Sequence, residues 1–421
     1  MKPRALRAEL TISEIAVGGD GVAHLDIAGE RRAVFVPGTA PGDVVLAEID
    51  PSSRPARASV RRIVTPSIER REPPCPYADA CGGCSLMHLF PAARERALSS
   101  IVRGSVLRAI GEIPVTHHAA PRPAGWRTRA RLAVIGGKVA TVGFRQRHGG
   151  RVVSIPTCIV LDPRIDAVIG VLGAALSGSR GRGEASVALG RSAPVVDLAW
   201  EGELAPAAFG ALERAVTSGA LDGVTVRLPG VSVPAKIGDP TVITTAADGA
   251  PLLVPSGGFA QANPAVSLAL GAAVAEAAHT AGRDVVELYA GAGNLTMLLA
   301  PGAGTYLAVE SDADAVECCR KNLRARGLDG VKVAHGDAAR ATLPRRCDVV
   351  VLDPPRAGAR DAIAGIAAMR PSTIVYVSCD PATLARDAAL LAGLGFAPQR
   401  LHTFDMFPHT HHVESVLHLT R

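Results

Sequence analysis

From Asp284 onward the chain changes rhythm: short apolar runs alternate with helical ones. The runs are Asp284–Tyr289, Tyr306–Glu310, Val331–Ala334, Asp348–Leu352 and Ile374–Ser378. Strand-like runs separated by helical patterns predict a doubly wound parallel sheet. Two more such runs, Arg400–Phe404 and Val413–Thr420, follow closely on each other. They predict an antiparallel pair at the sheet edge.

Ligands bind at the carboxyl ends of the strands in such sheets, so the residues at those ends are the first candidates for function. The first run leads into Glu287-Leu288-Tyr289-Ala290-Gly291-Ala292-Gly293-Asn294. Glycines there let backbone approach a ligand closely. The second run ends at Glu310, an acid placed to accept hydrogen bonds from ribose hydroxyls. Thr296 stands where a dinucleotide fingerprint would have its third glycine, which favours an adenosyl ligand without phosphates. Asp337, after the third run, is placed for an adenine amino group. Asp353-Pro354-Pro355-Arg356 supplies a rigid wall with no amide donor at either proline. Ser378-Cys379-Asp380-Pro381 sets a cysteine just before a helix, where the positive helix end favours the thiolate. The segment Phe407-Pro408-His409-Thr410-His411-His412-Val413-Glu414 predicts a loop before a strand. There Glu414 points into the same crevice, and the histidines hold no metal.

Cys75-x5-Cys81-x2-Cys84 is compact and glycine-rich, and with Cys158 it offers four thiolates. Four cysteines bind zinc or an iron–sulfur cluster. Three clustered ligands and one distant ligand favour iron–sulfur over the two Cys-x2-Cys pairs usual for zinc. Cys318, Cys319 and Cys347 have no such setting and are expected to pack in the core.

The chain has 421 residues and a net charge of +6, a length that suggests two to four domains. Residues 94–151 hold twelve basic residues against two acids, and Arg127 to Arg151 hold seven with no acid. This segment, Arg129, Arg131 and Arg145 included, is expected to bind nucleic-acid phosphates. Residues 1–65 break into short apolar runs between Gly/Pro/Asp turns, which predicts a small β-barrel. Thr65 to Pro74 reads as a linker and Pro91 to Ile110 as a helix. Residues 126–254 read as mostly β. No run of about 18 apolar residues is present, so no membrane span is expected. Residues 1–10 lack an apolar core, so the expected location is cytoplasmic.

Taken together, these residues resemble the S-adenosylmethionine-dependent RNA (uracil-5-)-methyltransferases. The likeness is greatest to members with an N-terminal TRAM domain and a [4Fe-4S] cluster that act on 23S rRNA. It rests on the cysteine motif and on Gly258-Phe259-x-Gln261-x-Asn263. It rests also on the glycine turn with Asn294, Asp353-Pro354-Pro355-Arg356-x-Gly358, Ser378-Cys379-Asp380-Pro381 and Asp405-Met406-Phe407-Pro408-x-Thr410-x-His412-Val413-Glu414. Tyr289 and Ala290 depart from the Phe and Cys of many relatives. The resemblance implies an OB-like TRAM barrel over 1–65 and a mixed α+β central domain with the cluster over 66–255. A Rossmann-like methyltransferase domain would cover 256–421. It implies that Gln261, Tyr289, Asn294, Glu310, Asp337 and Asp353 line the S-adenosylmethionine pocket, and that Phe259 meets the uracil. Cys379 would be the nucleophile, Glu414 the base, and Cys75, Cys81, Cys84 and Cys158 the cluster ligands. The implied partner is RNA, 23S rRNA or else tRNA at uracil-54, and the implied state is a monomer. A non-catalytic iron–sulfur RNA-binding protein is the competing class, and it has no need of Cys379 and Glu414 together.

Overall fold

The computed structural model describes residues 6–27, 29–50, 52–147 and 149–421. Part of the N-terminal segment read for a leader, residues 1–5, lies outside them. Residues 6–65 form a six-stranded sheet in the order Leu6–Thr11, Val44–Asp50, Ala56–Thr65, Glu30–Val36, Gly21–Ile27, Glu14–Ile15. Buried and half-buried residues alternate along Val44–Asp50, as a strand with one inward face requires. Val45, Ala47 and Ile49 thereby join Leu10, Val34 and Val36 in a core of their own. The segment expected as a linker is pinned to this unit. The buried Asp43 carboxylate accepts the Ala40 amide at 2.7 Å and pairs with Arg70.

The central sheet has seven strands in the order Val152–Ser154, Thr141–Arg145, Arg129–Ile135, Arg180–Leu189, Pro194–Glu203, Gly223–Arg227, Ala235–Gly238. Helices Pro163–Leu176 and Pro206–Thr217 bury Leu172 and Leu212 against Leu132, Val187, Val196 and Trp200. Arg131, Glu184 and Asp197 extend from this sheet outside that core.

The C-terminal sheet has eight strands in the order Lys332–His335, Thr305–Glu310, Asp284–Leu288, Val349–Leu352, Thr373–Ser378, Glu414–Thr420, Ala397–Phe404, Val115–His118. The first five are parallel, and Glu414–Thr420 runs antiparallel to both of its neighbours. Val349–Leu352 and Thr373–Ser378 are buried along their whole length, as strands covered on both faces must be. Helix Pro264–Ala278 joins the core that contains Val285, Val351 and Val375, and helix Pro381–Gly393 joins the one that contains Val286, Val350 and Ile374.

The sheet does not keep to the division at residue 255/256. Val115–His118 pairs in parallel with Ala397–Phe404 and forms the edge, so the last two strands are internal rather than an edge pair. The helical segment expected over Pro91–Ile110 is a helix to Val102, a π turn over Arg103–Leu107 and a last short turn. Its Leu98, Ile101, Val106 and Leu107 pack with Leu384 and Leu391. No isolated apolar run in the sequence distinguishes Val115–His118, because its strand character comes from its partner. Among the described residues, no helix is long and apolar enough to cross a membrane.

Candidate active site

The strand Asp284–Leu288 ends in a tight turn with positive φ at Tyr289 (62°), Gly291 (57°) and Gly293 (90°). Gly293 has φ 90°, which side chains rarely adopt, and a Cβ there would also stand 2.9 Å from Cys319 Sγ, so this position favours glycine. A Cβ on Gly291 would meet nothing within 4 Å, so that face of the turn is open to a ligand. Beneath the turn, the buried Glu287 carboxylate accepts Thr296 Oγ1 at 2.6 Å and Tyr306 Oη at 2.7 Å. Burial pushes Glu287 up to about 7. Thr296 is therefore more than a missing glycine, since its hydroxyl satisfies a buried acid.

Glu310 accepts the Gly291 amide at 2.8 Å on one oxygen, and the Ser311 and Asp312 amides at 2.7 and 2.8 Å on the other. It thus joins the glycine turn to the next strand tip. Asp337 is exposed beside them and accepts the Ala339 amide. Asn294 gives its carbonyl oxygen to the Ala247 amide at 3.0 Å, so it shapes the wall rather than presenting that atom to a ligand. Gln261 Oε1 is buried with no hydrogen-bond partner in the protein. An acceptor left so is costly unless a ligand donates to it. The open glycine face and this orphaned acceptor both fit a nucleoside cofactor rich in donors.

At the next strand tips, Ser378 pairs directly with Ser415. Cys379 follows Ser378 and Glu414 precedes Ser415, and the Glu414 carboxyl acts electrostatically on the Cys379 sulfur. Burial pushes Glu414 up to about 8, with the Asp353 charge adding and the Arg356 guanidinium opposing. Burial also pushes the Cys379 thiol up to about 11. Glu414 and Asp353 add to that shift and Arg356 opposes it. Asp353 itself is raised by burial to about 6. Asp380 already takes the Ala382 and Thr383 amides at the helix start, at 3.0 and 2.9 Å. The charged groups acting on the sulfur are the Glu414 and Asp353 carboxyls and, opposing them, the Arg356 guanidinium. Arg356, which the sequence placed in a motif without a role, is the cation acting on both Cys379 and Glu414.

Phe259 is 75% exposed. Its turn is anchored where Ser256 Oγ donates to Asp197 Oδ2 at 2.9 Å, and Asp197 also pairs with Arg227. This anchor lies in the part of the chain where no motif is legible. The three histidines serve separate contacts: His409 Nε2 reaches the Pro123 carbonyl, His411 reaches Ser85 and His412 approaches Arg356.

Cys75, Cys81, Cys84 and Cys158 line one small cavity together with Arg127, Phe144 and Ile155. Asp166 fixes the distant cysteine by accepting the Cys158 amide at 2.7 Å. Burial pushes the Cys84 thiol up to about 12, the neighbouring thiols adding and Arg127 opposing. Among the described residues, no three of these groups are arranged as a site for a single metal ion. The basic segment divides. Arg145 is exposed, Arg131 pairs with Glu184 at 3.2 Å, and Arg147 donates to the Cys84 carbonyl at 2.8 Å. Arg129 Nη1 is buried without a partner. Glu184, on another strand, therefore neutralises part of the segment.

A glycine turn, an acid on the following strand and reactive groups at the neighbouring tips of one open sheet define a nucleoside-dependent transferase of the doubly wound class. The tRNA (uracil-5-)-methyltransferase family model matches residues 253–421. The chain is 34% identical to the 23S rRNA (uracil(1939)-C(5))-methyltransferase RlmD of Alkalilimnicola ehrlichii, over 97% of this chain and 95% of that one. It is 31% identical to the enzyme of that name from Edwardsiella ictaluri, over 97% and 94%. The fold matches the crystal structure of Pyrococcus abyssi tRNA (uracil-54, C5)-methyltransferase in complex with S-adenosyl-L-homocysteine. That match has a TM-score of 0.76 and 22% identity, and it covers 98% of this chain and 100% of that one. The chain belongs to the RNA (uracil-5-)-methyltransferase family.

Proposed function

We propose that this protein methylates C5 of a uridine in RNA with S-adenosylmethionine as donor, and that the RNA is 23S rRNA. The observation that supports the reaction is the placement of Cys379 and Glu414 next to the paired Ser378 and Ser415, with Glu414 acting electrostatically on the sulfur. Likeness over nearly the whole length to rRNA enzymes supports the choice of rRNA over tRNA. Such a substrate implies a cytoplasmic location.

C5 of uracil lies in an electron-poor ring and is a weak nucleophile. Addition of the Cys379 sulfur at C6 forms an S–C6 bond and moves the C5=C6 electrons into an enolate, which makes C5 nucleophilic. Arg356 offsets the charge as the thiol ionises. When bound, S-adenosylmethionine would supply the methyl group that C5 takes, a C5–CH3 bond forming as the donor S–CH3 bond breaks and S-adenosylhomocysteine leaves, and Gln261, Tyr289, Glu310 and Asp337 would hold it. Glu414 then removes the C5 proton, the C5=C6 bond re-forms and the S–C6 bond breaks. Phe259 offers a stacking face to an extruded base. Arg145 and Arg131 would contact RNA phosphates, and residues 6–65 would act as a TRAM-type RNA-binding barrel.

The four cysteines would hold a [4Fe-4S] cluster. Their convergence on one cavity beside a cation supports this, because a cluster held by four thiolates is anionic. The cluster would act as a rigid node between segments distant in sequence. Mapping 5-methyluridine in rRNA and tRNA from cells lacking the protein tests the function. Loss from 23S rRNA is expected, and loss from tRNA alone would overturn the choice of RNA.

A further inference from the structure

We infer that Ser85 is a positioning residue for the elimination step, one that holds the strand entry carrying Glu414. This rests on the assignment of Glu414 as the base. Ser85 follows Cys84 directly, and its side chain is buried. Its hydroxyl accepts the His411 amide at 3.0 Å and also lies 2.9 Å from His411 Nδ1. One residue on, the Leu86 amide donates to the His409 carbonyl at 2.8 Å. The N-terminal sheet closes the third side. A Cβ on Gly19 would stand 2.9 Å from His411 Nδ1 and 3.0 Å from Ser85 Oγ. Three segments far apart in sequence therefore meet at one hydroxyl.

The contact leads to the reacting groups in two ways. Along the backbone, the strand Glu414–Thr420 starts three residues after His411. Its approach includes His409 at φ 71°, a left-handed conformation that a non-glycine residue keeps only when its surroundings hold it there. Through side chains, the His411 ring lies 4.2 Å from the His412 ring, and His412 Nε2 lies 3.5 Å from Arg356 Nη2. Arg356 is the cation that acts on both Cys379 and Glu414. Removing the hydroxyl leaves the His411 amide and ring nitrogen without this partner. It frees the approach to Glu414 while leaving the glycine turn and Gln261 untouched.

The test compares full-length Ser85→Ala, Ser85→Thr and Glu414→Gln. Each is incubated with S-adenosylmethionine and total RNA from cells lacking the protein, and the SDS-stable RNA–protein adduct is quantified. Ser85→Ala is expected to lower kcat by about 10- to 100-fold, the scale of loss for a group displaced by about 1 Å. KM for S-adenosylmethionine should not change, and adduct should accumulate as in Glu414→Gln. Ser85→Thr, which keeps the hydroxyl, should restore turnover. A slowed Ser85→Ala without adduct, beside a Glu414→Gln that accumulates it, overturns the inference and leaves the base assignment standing. Absence of adduct in Glu414→Gln removes the base assignment and this inference with it. If Ser85→Ala does not fold, His411→Ala, which keeps the amide hydrogen bond, must show the same accumulation in weaker form, or the inference fails.

Discussion

Asp387 lies beneath the loop that carries Asp353 and Arg356 and accepts the Tyr376 hydroxyl at 2.7 Å. The same oxygen takes the Ala359 amide at 2.7 Å, and Arg386 bridges from the other oxygen to the Ala357 carbonyl. Gly358 must remain glycine here, because its φ is 79° and a Cβ would stand 2.5 Å from Asp387. Asp387→Ala should cost about 2–4 kcal/mol of unfolding free energy, since it strips a buried hydroxyl and an amide of their acceptor. Denaturant unfolding measures this. An unchanged midpoint would show that the loop holds itself.

Cys379→Ala should abolish methylation, by about 10⁴-fold or more, as for other covalent nucleophiles. Calorimetric affinity for S-adenosylmethionine should stay essentially unchanged, because the cofactor residues sit on other strand tips. Equal loss of both would place Cys379 in the cofactor pocket instead.

Glu414 sets a pH dependence of definite sign. Its folded value of about 8 lies above the ordinary 4.5, so between those values the folded state binds more protons than the unfolded state. This contribution is fully present below about pH 4.5 and is lost as pH rises through about 8. Glu414→Gln should therefore melt higher than the parent at pH 8.5, by roughly 2–4 kcal/mol of stability. The gap should close by pH 4.5. Turnover limited by elimination should rise with pH up to about 8. A gap that widens toward acid would contradict the burial of this carboxyl.

Protein purified without oxygen should be brown and absorb at roughly 400 nm, as expected for a cluster on four thiolates. Colourless protein with stoichiometric zinc under those conditions would sink the cluster assignment.

Replacing Arg145 and Arg131 by Ala should weaken RNA binding and lower the salt slope by roughly 0.7–0.9 for each phosphate left unneutralised. Arg131 already pairs with Glu184, so its share should be the smaller. A lower melting temperature with an unchanged slope would make both residues purely structural.

Much of the site is legible in sequence because strand tips carry their own signatures. Cys379, Asp353, Glu310 and the glycine turn each follow an apolar run, and the alternation places them all at the carboxyl ends of one sheet. What stays hidden depends on partners far along the chain. Asp197 anchors the Phe259 turn and Ser85 meets His411, yet neither residue has a local pattern to mark it. The charged surroundings of the Cys379 thiol are hidden for the same reason. A helix start looks electropositive in sequence, while the carboxylates of Glu414 and Asp353 come from other strands. Asn294 and Arg129 show a further limit, because residue type does not reveal which atom is already spent or buried.

The edge strand Val115–His118 fixes the order of events at the ribosome. Its partner Ala397–Phe404 is made nearly 300 residues later, and closing so long a loop is slow. Until that strand is made, the segment 91–118 should lack this cover, which leaves Leu98, Ile101 and Leu107 to be buried late. A fragment cut to the family-matched region 253–421 meets the converse problem. It keeps Ala397–Phe404 but leaves that strand as a bare edge, open to pairing with another chain. Such a fragment should aggregate rather than fold as a free-standing catalytic unit.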